Sequence, residues 1–122
     1  MKRVLIATIL LALAFTPAYA QTQDEAFNSF WKLFRAAIAK NDKEAVADQT
    51  RLPFLYDSKE QDRAGFLKIY PQLFTLKTRR CFATAKPTKE QDNYDVFCGQ
   101  LIFYFGKDTD GKYKLLEFGA ND

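Results

Sequence analysis

The 122-residue chain contains no histidine. That absence removes the commonest general base and the commonest metal ligand, so Ser-His-Asp triads, zinc centres and two-His metal sites are excluded in their usual forms. Glycine is scarce, at five residues, and neither a Gly-rich phosphate loop nor a nucleophile elbow occurs. Asp108 and Asp110 flank Gly111, but the other ligands of a calcium loop are missing, which leaves a hairpin turn. No metal and no cofactor are expected. Long hydrophobic runs are lacking too: Val4 to Phe15 is the longest, well short of the roughly 20 residues that cross a bilayer, so no stable membrane anchor is expected.

That short run has the form of an export signal. Lys2 and Arg3 precede it, and Thr16-Pro17-Ala18-Tyr19-Ala20 follows with the small-x-small pattern read by signal peptidase. Cleavage following Ala20 is predicted, with residues 1–20 removed and residues 21–122 forming a single periplasmic or secreted domain. No cysteine stands at the new N-terminus to accept a lipid. Without Lys2 and Arg3, 16 basic side chains face 15 acidic ones. The electrostatic ground for binding nucleic acid is therefore lost.

What remains is rich in aromatic residues and periodic. Phe27, Phe30, Trp31, Phe34, Ala37 and Ile38 form one apolar stripe, which predicts an amphipathic helix over 24–40. Asn41 with Glu44 has capping-box spacing and predicts a short second helix ending near Thr50. Pro53 makes 51–56 extended, and Ser58 with Gln61 suggests the cap of a third helix carrying Phe66, Leu67 and Tyr70 inward. From Thr75 the composition turns to strand formers, predicting three meandering strands over 75–85, 94–105 and 113–118. In the middle one Tyr94, Val96 and Cys98 share one parity while Leu101, Phe103 and Phe105 share the other, which a β-bulge at Gly99 would explain.

The two cysteines, Cys81 and Cys98, then fall on adjacent strands. In an exported chain they are expected to form a structural disulfide, with Ala83 opposite Val96 and Ala85 opposite Tyr94. The absence of a Cys-x-x-Cys spacing argues against a redox-active pair.

This order of elements, ααβαβββ, resembles the nuclear-transport-factor-2-like superfamily, a cystatin-like α+β cone. There two or three N-terminal helices pack on a curved antiparallel sheet of three to four strands. Phe30-Trp31-x-x-Phe34, Asp42-x-x-x-Val46, Leu52-Pro53-Phe54 and Gly111-Lys112-Tyr113-Lys114-Leu115 are also similar to segments of small exported bacterial proteins. The resemblance implies an interior able to hold an apolar ligand, and frequent dimers, here through the open sheet face. Enzymes of the superfamily, such as ketosteroid isomerases and dehydratases, place a carboxylate or histidine base inside the cone beside an oxyanion-binding tyrosine.

With no histidine, such a base in this chain is limited to Asp or Glu. Asp95, with Tyr94, Tyr104 and Tyr113 on the same sheet, is the best set. Its alternation with Tyr94 and Val96, however, predicts that it faces solvent, away from the core. Trp31, Phe34, Tyr56, Tyr70, Phe103 and Tyr104 are the candidates for lining a ligand pocket, although core packing is the favoured reading of each. Lys77, Arg79 and Arg80 offer a grip for an anionic partner or, as solvent-face charges, a guard on a sheet edge. The sequence thus favours a non-enzymatic binding or accessory domain whose partner is a small apolar ligand or an envelope protein. An inhibitor or immunity protein against another protein is the alternative, and a carboxylate-based isomerase or dehydratase the second.

Overall fold

The computed structural model describes residues 23–120; the expected signal segment and its cleavage site lie outside them. Helix α1 (Gln23–Ala39) follows the predicted stripe. Asp24 and Glu25 in its first turn complement the partial positive charge of the helix N-terminus. Phe27, Trp31, Phe34, Ala37 and Ile38 are buried.

Helix α2 (Lys43–Asp48) begins one residue later than Asn41 implied. Asn41 adopts a left-handed backbone conformation, at φ 52°, and Asp42 is the cap, its carboxylate accepting from the Ala45 N–H. The chain leaves α2 through Thr50, which bridges in parallel to Leu115. The Leu52–Pro53 peptide is cis.

Strands β1 (Phe54–Tyr56) and β2 (Lys59–Gln61) form a small hairpin, of which only the first strand was expected. Ser58 does not cap a helix; it sits in the turn with Asp57, both at positive φ. The cap of α3 (Arg63–Leu73) is Asp62, whose side chain accepts from the Gly65 N–H.

The largest correction is at 75–85, which is not a strand. It is helix α4 (Leu76–Thr84), capped by Thr75 accepting from the Thr78 N–H. The strand-forming composition is overridden by the helical spacing of Thr78, Cys81, Phe82 and Ala85, which puts these four on one face. Thr78 and Phe82 are buried.

The expected disulfide between Cys81 and Cys98 is present, with Cα atoms 5.8 Å apart. It fastens α4 to the end of a strand, so the expected pairings of Ala83 with Val96 and Ala85 with Tyr94 do not exist. Those strand positions pair instead with Phe103 and Phe105.

The sheet is a four-stranded antiparallel meander: β3 (Thr88–Glu90), β4 (Asn93–Cys98), β5 (Leu101–Lys107) and β6 (Tyr113–Ala120). The predicted long middle strand is two strands. Gly99, at φ 64°, and Gln100 form a two-residue hairpin turn that pairs Cys98 with Leu101. A turn, not a bulge, therefore reverses parity at Gly99 and brings both halves to the same face. The irregularity of the sheet lies elsewhere, between Tyr104 and Phe105, where Leu116 is the extra residue on β6.

Helices and sheet enclose an aromatic core. Phe105 meets Phe34 edge-on at 5.1 Å between ring centroids, and Phe82 meets Phe103 edge-on at 5.0 Å. Phe74 stacks on Phe103 at 5.4 Å. Such offset and edge-to-face pairs satisfy the ring quadrupoles. The architecture is α+β, helices followed by an antiparallel sheet, consistent with the nuclear-transport-factor-2-like fold that the resemblance implied.

Candidate binding surfaces

The structure disperses the six aromatic residues proposed as a pocket lining. Phe34 and Phe103 have no exposed surface. Trp31 is buried against Phe27, Phe34 and Phe82, with the Arg35 guanidinium over its ring at 6.0 Å. Tyr56 is half-buried, stacked on Phe118, and its hydroxyl donates to Gln72 Oε1 at 3.1 Å. Tyr70 is buried at the C-terminal end of α3. Tyr104 lies on the opposite, outer face of the sheet, across from Asp95 on β4 and Glu117 on β6. No single cavity gathers all six.

On the inner face, Tyr94 stacks on Phe27 with centroids 3.6 Å apart. Its hydroxyl donates to the Asp24 carboxylate, which also receives Lys89 Nζ at 2.9 Å. The Tyr94 and Lys89 hydrogen bonds hold Asp24 below the usual carboxylate range, while burial and Asp24 push the Tyr94 hydroxyl up. These shifts hold the hydroxyl protonated and the carboxylate charged, the pattern of a structural tie between α1 and the sheet.

Asp95 faces outward as expected, yet it is not solvated. Thr88 of β3 flanks it on one side and Tyr104 of β5 on the other, and only 6% of its surface is exposed. Burial, aided by a hydrogen bond and charge repulsion from Glu90, raises its carboxyl to about 6. Two carboxyls in hydrogen-bonding reach share a proton more readily than they both ionise. No ion pair among the described residues includes Glu90, Asp95 or Glu117.

The catalytic set considered in the sequence is split by this arrangement. Tyr104 accompanies Asp95 on the outer face, whereas Tyr94 and Tyr113 belong to the inner one. Glu90, which completes the carboxyl pair, lies between the strands expected over 75–85 and 94–105, where the polar composition points to a connecting turn. Three residues of strand are too few for alternation to register.

Beyond that pair the outer face carries apolar side chains. Phe97 follows Asp95 on the same face of β4 and is 48% exposed, paired with half-buried Ile102. The basic cluster lies on α4 and guards no sheet edge: Arg79 is half-buried, while Lys77 and Arg80 are exposed. Lys77 borders a shallow cleft of about 270 Å³ over the disulfide.

Among the described residues, no group of three or more metal-ligating side chains could hold an ion, and no helix is long and apolar enough to cross a membrane.

Comparison with known proteins is sparse. No protein-family model matches the chain, and no curated protein matches it. Among solved structures it is similar to a putative ketosteroid isomerase from Shewanella frigidimarina, with a TM-score of 0.44 and 12% identity, covering 79% of this chain and 94% of that one. At that similarity no residue role is carried across.

Proposed function

We propose that the protein is an exported binding domain that acts without catalysis, through the outer face of its sheet, on a protein surface presenting a basic side chain beside an apolar one. The observation that carries this reading is a buried carboxyl, Asp95, set against a second carboxyl with no cation beside it, on a sheet face whose neighbour Phe97 is exposed. A monomer gains nothing obvious from that arrangement, since desolvating a carboxylate is costly unless it is paired. An incoming Arg or Lys would pair with the carboxyls, and burial of Phe97 and Ile102 would add apolar contact.

The apolar interior supports packing better than ligand capture, because its aromatic rings fill one another's space. This moves the expected partner from a small apolar ligand to a protein of the envelope. Export rests on the pattern in residues 1–20, and the disulfide suits an oxidising compartment. A second copy of the chain is a weaker partner, since a symmetric contact would set the acidic clusters near one another.

The test is native mass spectrometry of the protein released gently from the envelope, for the parent and for Phe97→Ser and Glu90→Gln. A heteromeric mass in the parent that is lost in both variants supports the face. A bare monomer throughout, or a complex indifferent to both substitutions, overturns it. The denatured mass of the same sample reports whether residues 1–20 are gone.

A further inference from the structure

On the helical side, remote in sequence from the outer sheet face, a cleft of about 580 Å³ opens between the α1–α2 turn, the end of α3 and the start of α4. Lys43 borders it on one side, Tyr70 and Pro71 on another, and Thr75, Leu76 and Arg79 on the third. Two cations line it, and no lining residue is acidic.

Tyr70 is the informative group. It is only 2% exposed, and its hydroxyl is buried without any hydrogen-bond partner. Buried hydroxyls are almost always partnered, so one left unpaired calls for an explanation. The charges that act on it are Arg79, which favours its ionised form, and Asp42, which opposes it. Arg79 and Tyr70 both line the cleft, whereas Asp42, between the lining residues Asn41 and Lys43, does not. Asp42 already accepts from the Ala45 N–H and serves as the α2 cap.

Arg79 is half-buried and half-committed. Its Nη1 donates to the Phe74 carbonyl at 2.7 Å, which fixes the guanidinium while leaving further N–H groups of the planar fork to donate. Helix α4 starts at the same edge. Thr75 takes the Thr78 N–H, and Thr75 O takes the Arg79 N–H, so the N–H groups of Leu76 and Lys77 remain without an intrahelical acceptor.

We infer that this cleft binds a small oxyanion, a carboxylate or phosphate group on a compact organic ligand, held by Arg79, Lys43, the first N–H groups of α4 and the Tyr70 hydroxyl. A helix N-terminus favours negative charge, and a guanidinium matches the planar or tetrahedral oxygens of such groups. The hydroxyl supplies the donor that a simple surface cation patch lacks. Leu76, 54% exposed, and Pro71 give the organic part an apolar rest.

The experiment titrates inorganic phosphate and, separately, butyrate into the ¹⁵N-labelled full domain at fixed ionic strength, with chloride as the control. Backbone amides of residues 75–79 and the Arg79 side-chain N–H are followed. Saturable shifts confined to these groups are expected. Arg79→Gln should weaken the response by about tenfold or more, and Tyr70→Phe by about three- to tenfold, as expected for charge-assisted hydrogen bonds.

Tyr70→Phe keeps the ring that packs on Phe66 and Phe74, so it separates a binding role from a folding one. Response to phosphate alone assigns a phosphate-bearing ligand, and response to butyrate alone a carboxylate. Shifts equal to those from chloride, shifts spread over lysines elsewhere, or unchanged affinity in Tyr70→Phe would overturn the proposal.

Discussion

Replacing Asp95 with Asn should stabilise the protein at neutral pH and erase a defined part of its pH dependence. The folded carboxyl sits at about 6 against an ordinary value of 3.8, so between those values the native state holds more proton than the unfolded chain. Where the folded state binds the extra proton, stability falls as pH rises. The contribution is fully favourable below pH 4, is lost as pH climbs through 6, and amounts to ~3 kcal/mol once Asp95 is fully ionised.

Asn keeps the shape and can donate to Glu90, so Asp95→Asn should recover about 1–3 kcal/mol at pH 7.5 and nearly nothing at pH 4. In a domain of this size that raises the unfolding midpoint by roughly 4–8 °C per kcal/mol. Asp24, Asp108 and Asp110 are shifted the other way by their lysine, tyrosine and backbone N–H partners. Their stabilisation is present above the ordinary carboxylate value and is lost as pH falls below it, in parent and variant alike. The difference between the two proteins therefore isolates Asp95. Urea unfolding from pH 4 to 8 is the assay, and a constant difference across that range, or a less stable variant at pH 7.5, would refute the reasoning.

Reducing Cys81–Cys98, or the double change to Ser, should cost about 3 kcal/mol, because a bridge across 16 intervening residues restrains the unfolded chain; an unchanged midpoint in reductant would contradict it. Phe82→Ala, which empties the space between Trp31, Phe74 and Phe103, should destabilise by about 3–5 kcal/mol in chemical unfolding. Thr75→Ala removes the cap of α4 and should cost about 1 kcal/mol, while Thr75→Ser should restore most of it.

The first helix was legible because its apolar stripe is long and unbroken, and the disulfide because two cysteines in an exported chain have few alternatives. The inward parity of Tyr94, Val96, Phe103 and Phe105 was legible as well. Its cause was not, since a bulge and a tight turn at Gly99 both reverse parity, and only the pairing of Cys98 with Leu101 distinguishes them.

Helix α4 was hidden by its composition. Thr75, Thr78 and Thr84 read as strand formers, whereas in the fold Thr75 is a cap and Thr78 packs inward. The burial of Asp95 could not be seen from alternation, which gives the face a residue points to but not how its neighbours cover it. Tyr70 and Arg79 were each singled out for separate reasons, and the fold alone brings them to one cleft.

The reading of the outer sheet face is tested most directly by site-specific photo-cross-linking in living cells, with the reactive residue at position 97 and a control at exposed position 68 on α3. The account predicts a discrete heteromeric adduct from position 97, absent from position 68 and diminished when Asp95→Asn and Glu90→Gln are introduced together. Equal or no adducts from both positions, or an adduct at 97 that survives removal of the carboxyls, would contradict it.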